Sequence, residues 1–363
     1  MIGRLLTGRY LILKQLGAGG FSETYLAIDK YLLDQPACVV KWLRPSPRST
    51  ISIEKAQQLF ETEARVLDRL GRHHTQIPTL FAYCHEQDQV YLIQDYIKGE
   101  NLESWFTQGH CLSSDAAIIL LRKILPTLQY VHHHDVIHRD VKPSNLICRE
   151  DGDIALIDFG AACDQIETRK KRDLNKRDEV LIGTVGYMPD EQQKGCSQFN
   201  SDLYALGITV IQLLTGVHPQ QLQIDPTTGE LNWQIYLTQS SIEPRLIMIL
   251  NQMTKRDHRL RYQHATEVMA VLEPLSTIEK SSGQQAAKPA KDKAKSKVFL
   301  ERIWKPILVL LSITAVCGGY YLSSTDSKQS EALMAQMESA SSQINYFSCR
   351  YLVCLQQKQL DRR

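Results

Sequence analysis

A chain of 363 residues, 43% of them hydrophobic, has room for about two average domains or one large two-lobed domain with appendages. Its formal net charge of +2 gives no global electrostatic case for nucleic-acid binding. Six of its nine cysteines are scattered through the first 275 residues without C-x-x-C spacing, which argues against a zinc or disulfide framework and for reduced thiols, and Met1 to Tyr10 lacks the apolar run of a secretory leader.

From Tyr10 to Lys41 the pattern predicts a strand, a glycine turn, a second strand, a polar turn at Asp34-Gln35-Pro36 and a third strand over Ala37 to Trp42. The turn, Leu16-Gly17-Ala18-Gly19-Gly20-Phe21-Ser22-Glu23-Thr24, lets backbone amides approach phosphates without a Cβ in the way. Such spacing alone also suits an ordinary hairpin; its position before Cys38-Val39-Val40-Lys41 is what strengthens it. Lys41 ends an apolar strand, where a buried ammonium needs anions, and phosphates plus a carboxylate would meet that need. Ser52 to Leu70 predicts a helix with Ala56, Leu59, Phe60, Ala64 and Leu67 on its apolar side and two neighbouring acids, Glu61 and Glu63. Val90 to Ile97 reads as a strand entering a connector. Ser113-Ser114-Asp115 then caps a helix carried by Ile118, Leu121, Leu125, Leu128 and Val131. His132-His133-His134 at its end is read as helix-end polar residues, because neighbours on a helix point about 100° apart and do not converge on one ion.

The next stretch concentrates the chemistry: Val136-Ile137-His138-Arg139-Asp140-Val141-Lys142-Pro143-Ser144-Asn145, then Asp158-Phe159-Gly160. Two carboxylates, an amide and a lysine on adjacent turns supply an acceptor for a hydroxyl proton, oxygen ligands for Mg²⁺ and a cation over a transferring phosphoryl group. This ordered set resembles the bacterial, eukaryotic-like (Hanks-type) serine/threonine protein kinase family over nearly all of residues 10 to 275. The resemblance implies an α+β, bilobal protein kinase fold, with a β-rich N-lobe and an α-rich C-lobe, over residues 1–275. It also implies ATP and Mg²⁺ as cofactors and protein substrates bearing Ser or Thr.

On that resemblance Asp140 is the catalytic base or the acceptor that aims the substrate hydroxyl. Lys142 neutralises the moving phosphoryl group and marks the serine/threonine branch, while Asn145 and Asp158 are the Mg²⁺ ligands. Leu16 to Thr24 and Lys41 bind the nucleotide, with Glu63 pairing Lys41; Gln94 is the gatekeeper, Asp95-Tyr96-Ile97 offer backbone groups to the adenine, and Asn101 lies near the ribose. Ser22 stands where the family usually has a third glycine and Thr24 where it has valine, so looser phosphate cover is expected. His138 and Phe159 stack with Leu67 and Leu80, Asp202 holds the catalytic turn through backbone amides, and Glu191 pairs with Arg261. Thr184, in Gly183-Thr184-Val185-Gly186-Tyr187-Met188, bonds the catalytic aspartate. Arg139 implies control through phosphorylation of the segment from Asp158 to Glu191; the basic run Arg169-Lys170-Lys171-Arg172 suits either autophosphorylation at Thr168 or simply a solvated loop. A pseudokinase scaffold and a small-molecule phosphotransferase are the rival readings. The complete polar set weighs against the first, Lys142 and the long segment with Gly183-Thr184 against the second.

Residues 276–305 carry eight Lys/Arg against three Asp/Glu and few large apolar side chains, the composition of a basic flexible linker. Residues 306–322 hold no charge, with Trp304 before and Tyr320-Tyr321 at the end, and predict one transmembrane helix at the short end of spanning length. Its run is also short enough to suit a buried helix of a small extra domain. Seven Lys/Arg in the twenty residues before it against one after orient the kinase region to the cytoplasm, giving a single-pass cell-membrane protein. Residues 323–363 are then a short extracytoplasmic tail, in which Cys349 and Cys354 either bridge or stay as thiols, and anchoring leaves room for a homodimer.

Overall fold

Alternating apolar and polar residues between Leu5 and Asp95 build the first layer. In the computed structural model, which describes residues 1–45, 51–109, 111–166, 182–238 and 242–273, six strands form an antiparallel sheet: β1 (Leu5–Leu6), β2 (Tyr10–Ala18), β3 (Ser22–Asp29), β4 (Ala37–Leu43), β5 (Leu80–Glu86) and β6 (Gln89–Asp95), in the order β1-β2-β3-β4-β6-β5. Register sorts the side chains into two faces, since directly paired residues point to the same side. Tyr25, Val40 and Ile93 are paired across β3, β4 and β6, and with Leu6, Tyr10, Ile12, Ala27, Cys38 and Tyr91 they form a buried cluster on one face. The opposite face carries the row Thr24, Lys41, Leu92 and the row Leu26, Val39, Gln94, Leu80.

Helix α1 (Ile53–Leu70) is capped by Ser52, whose hydroxyl accepts from the Lys55 amide, and buries Ala56, Leu59, Phe60, Glu63, Ala64 and Leu67. The predicted strand over Val90 to Ile97 ends at Asp95 instead: Tyr96 and Ile97 leave the sheet as the connector, which the short pair β7 (Gly99–Asn101) and helix α2 (Leu102–Thr107) continue.

Below it the chain turns helical. α3 (Ser114–His133) is capped by Ser113 and buries Ile118, Leu121, Leu125, Leu128 and Val131, the predicted stripe. Small two- and three-stranded ribbons follow: β8 (Val136–Ile137) with β11 (Cys163–Asp164), and β9 (Leu146–Arg149) between β7 and β10 (Ile154–Leu156). Further helices among the described residues are α4 (Asp190–Gln193), α5 (Phe199–Thr215), α6 (Pro244–Met253) and α7 (Ala265–Leu272). α5 is buried on nearly every side from Asn200 to Thr215, so it is the post around which α3 and α6 pack. Gly207 lets α6 approach, since a Cβ there would lie 2.8 Å from Thr254 Cγ2 and 3.1 Å from Met253 Cβ. The outcome is a sheet-rich N-lobe and a helical C-lobe. Among the described residues no helix is long and apolar enough to cross a membrane; the predicted span over 306–322, the linker, the tail and Thr168 all lie outside them.

Candidate active site

Two groups of polar side chains face the junction between sheet and helices. In the first, the Lys41 ammonium is buried between two carboxylates, bonding Glu63 Oε1 and lying 2.7 Å from Asp158 Oδ1. Burial works against the Lys41 charge, but Asp158 and Glu63 more than offset it and raise its pKa above the ordinary lysine value. Desolvation opposes ionisation of Asp158 too, yet the Lys41 ammonium holds it down to about 2. Helical phase selects Glu63 for this contact: it shares the face of Leu59, Phe60 and Leu67, whereas Glu61 points away and meets Arg65 at 3.2 Å among exposed side chains.

In the second group Asp140, 9% exposed, has both oxygens engaged. Oδ1 accepts from the Thr184 hydroxyl at 2.7 Å; Oδ2 accepts from Asn145 Nδ2 at 3.0 Å and lies 2.8 Å from Lys142 Nζ. Lys142 also donates to Thr184 Oγ1 at 2.6 Å, closing a triangle of carboxylate, ammonium and hydroxyl. Asn145 donates a second time to the Asp140 carbonyl at 2.8 Å, so its Nδ2 is committed inward and its Oδ1 is the atom left for a ligand.

Backbone conformations that L residues rarely adopt sit on both loops, at Arg139 (φ 68°) and Asp158 (φ 65°). Arg139 is held in place by Asp202, fully buried, whose carboxylate accepts the amides of His138 and Arg139 at 2.8 Å each. His132 Nε2 lies 2.8 Å from the same carboxylate. Burial opposes the Asp202 charge, but His132 and the His138 amide keep its pKa below the usual carboxylate range. The second histidine of the region, His138, is pushed down by burial and is neutral. Its Nδ1 accepts from the Asp140 amide (3.3 Å), its Nε2 then donates to the Ile157 carbonyl (3.2 Å), and its ring meets Phe159 edge-on at 4.7 Å.

The glycine turn between β2 and β3 is closed by the Gly19 amide donating to the Ser22 carbonyl at 2.7 Å. A Cβ on Gly17 or Gly20 would meet nothing within 4 Å, so the fold itself does not demand glycine there. The Phe21 ring tip reaches toward Gly160, where an added Cβ would lie 3.5 Å from it and 3.3 Å from Asp158 Oδ1. Leu16 and Ala18 flank the turn, Ser22 opens β3, and Thr24 shares the face of Lys41. Glu23 is on the opposite face, accepting from Tyr25 and meeting Arg44 at 3.0 Å, so only its backbone is available on the Lys41 side. Gln94 is buried on the Lys41 face with its Oε1 unpartnered. Asp95, whose amide donates to the Thr79 carbonyl, ends β6, and Ile97 lies on the connector; a depression of about 350 Å³ beside it is lined by residues that include Asp95, Lys98, Arg149 and Asp151 and by neither of the two polar groups. Asn101 Oδ1 caps α2 by accepting from the Ser104 amide at 3.0 Å.

Sequence reading passed over two side chains of this site. His132 is the helix-end residue its position predicts and also buttresses Asp202, while Gln192 carries no motif. Among the described residues no three His, Cys, Asp or Glu side chains gather as a self-sufficient metal site. Asp158, ionised, and Asn145 Oδ1 are hard oxygen donors, the kind Mg²⁺ takes a few of while phosphates and water complete its shell, so the residues fit that ion.

The model of the protein kinase domain family matches residues 10–272. The chain is 40% identical over 271 residues to the serine/threonine-protein kinase PknA of Nostoc sp. and equally so to the serine/threonine-protein kinase C of Synechocystis sp.; each alignment covers 74% of this chain but only 48% and 50% of the relative. The chain thus spans about half the length of these two relatives. The serine/threonine-protein kinase D of Synechocystis sp. is 35% identical over 366 residues, covering 91% of this chain and 70% of that protein. A match from residue 10 to 272, carried by a sheet-rich lobe set over a helical one, makes this chain a member of the protein kinase domain family.

Proposed function

We propose that the chain is a protein serine/threonine kinase that transfers the γ-phosphate of ATP to Ser or Thr hydroxyls of proteins, itself included, in bacterial signalling. The observation that carries the reading is the Asp140, Lys142 and Thr184 triangle, held by Asn145, beside the Lys41, Glu63 and Asp158 cluster. Lys41 is the cation for the nucleotide phosphates, and the glycines at 17 and 20, which the fold does not require, clear space for them. Asp158 and Asn145 would hold Mg²⁺, which when bound neutralises charge on the phosphates. Asp140 accepts the proton of the incoming hydroxyl at a carboxylate oxygen as the new O–P bond forms and the bond to the departing diphosphate breaks, and Lys142 offsets negative charge beside it. Thr184, already on Asp140 Oδ1, sits where a substrate alcohol must come, so the substrate-facing loop itself sets the distance.

The test is transfer of labelled phosphate from Mg²⁺-ATP by the purified full chain. Labelling of itself or a protein acceptor at Ser or Thr is the expected result, with Thr168 the first site to look for among the modified residues. A folded chain that labels nothing across acceptors and metals sinks the reading.

We further propose that residues 306–322 anchor the chain in the cell membrane by a single helix, with the kinase domain cytoplasmic and residues 323–363 outside. Support comes from seventeen uncharged residues with seven Lys/Arg in the twenty before them and one in the twenty after. Expressed in a bacterium, the full chain is expected in the membrane fraction and resistant to carbonate extraction, and a version ending at Leu275 in the soluble one. Equal partitioning of both ends the idea.

A further inference from the structure

Gln192 is buried in α4, and its amide nitrogen donates to two carbonyls at once: Arg139 O at 2.7 Å and Ile182 O at 3.0 Å. Neither carbonyl is arbitrary. The Arg139 carbonyl belongs to the peptide plane that leads into Asp140, and the amide of the same plane is held by His138 Nδ1. The Ile182 carbonyl belongs to the plane leading into Gly183, one residue before Thr184. The hydrogen bond between Thr184 and Asp140 therefore has each of its ends tied, one or two residues back, to the same nitrogen atom.

The packing leaves that nitrogen no other place. Gly183 (φ 127°) allows the approach, for a Cβ there would lie 2.6 Å from Gln192 Nε2, 2.8 Å from Met188 Sδ and 2.9 Å from the Arg139 carbonyl. Gln192 Oε1 is buried without a partner, so the side chain is retained for its N–H groups and not for its oxygen. The rotated amide would aim that oxygen at two carbonyls.

We infer that Gln192 is a positioning residue for phosphoryl transfer, clamping the substrate-facing loop to the catalytic loop so that Thr184 and Asp140 keep their spacing. The inference rests on the kinase reading above. Without the clamp two part-buried carbonyls face each other unpaired, and the loops separate. Nucleotide binding, which Lys41 and Glu63 control from the other lobe, does not depend on it.

Two variants of the full chain test it, Gln192→Glu and Gln192→Met, each compared with wild type for kcat, for KM of ATP and of a dephosphorylated casein acceptor, and for melting temperature. Gln192→Met is expected to lower kcat about 10–100-fold with the KM for ATP held within about twofold, since a displacement of about 1 Å costs rates of that order. Gln192→Glu is the sharper probe. Above the pKa of its carboxyl it offers only acceptors to two carbonyls; burial among them raises that pKa, and below it the protonated acid donates one hydrogen bond again. Its kcat relative to wild type should therefore rise several-fold as the pH falls from about 8 to about 6, a slope that Gln192→Met lacks. If Gln192→Glu is unstable at the higher pH, Gln192→Met still reads the split between kcat and KM. A Glu variant whose pH profile parallels wild type, or a Met variant with wild-type kcat, overturns the inference. A wild-type chain that transfers nothing overturns the kinase reading instead.

Discussion

Asp140→Asn is expected to lower kcat for transfer to a protein hydroxyl by about 10²–10⁴-fold, the range that general-base contributions span, while the affinity for ATP stays close to wild type. Asparagine is the informative replacement because the site can keep its shape around it. Its oxygen can face Lys142 Nζ and Asn145 Nδ2, both of which are donors and lie 2.8 and 3.0 Å from Asp140 Oδ2. Its NH₂ can face Thr184, whose hydroxyl turns to accept. What disappears is the negative oxygen that takes a proton. Lys41, Glu63 and Asp158 do not touch Asp140, so nucleotide binding reports an intact cleft. Titration of a fluorescent ATP analogue gives the affinity, and single-turnover labelling gives the rate. Activity within about threefold of wild type would mean that Asp140 only orients, and that positioning alone supplies the rate.

The residues of this cleft that were legible in the sequence are those whose chemistry is written locally. Lys41 at the end of an apolar strand announces a buried cation, and the seven-residue spacing from Ala56 to Glu63 puts the acid on the buried face of α1. Asp140, Lys142 and Asn145 fall within six residues of one loop. Where the reading stopped, the partner lay far along the chain. His132 meets Asp202 across seventy residues, and Gln192 meets Arg139 across fifty-three; neither has a periodicity or a spacing that points to the other. Asn101 is legible in another way: an asparagine followed by a short apolar helix is a cap by local rule, and its Oδ1 does cap α2. The short strands β7, β9 and β10 are not legible in the sequence, because three or four residues carry too little alternation.

The largest effect on stability is expected at Arg261. Its guanidinium is fully buried and forked onto Glu191, with Nη1 2.6 Å from Oε1 and Nη2 3.1 Å from Oε2; it also donates to the Lys255 and Arg256 carbonyls at 2.6 and 3.0 Å and lies 4.6 Å from the centre of the Tyr204 ring. Arg261→Ala strands a buried carboxylate, whose remaining side-chain partner is the Ser201 hydroxyl at 2.8 Å, and leaves both carbonyls unpaired. Breaking such a pair from one side costs about 3–5 kcal/mol. At about 2–4 °C per kcal/mol for a domain of this size, the melting temperature should fall on the order of 10 °C. Glu191→Gln should cost less, because the amide oxygen still accepts from the fork and Arg261 keeps its two carbonyls and its ring. Replacing both partners by apolar residues, Glu191→Leu with Arg261→Met, should recover part of the loss, since the desolvation penalty goes with the charges. Calorimetry on these three variants beside the wild type fixes the order. If Arg261→Ala melts no lower than Glu191→Gln, the carbonyl and ring contacts contribute nothing, and the end of the substrate-facing loop is held by something other than this ion pair.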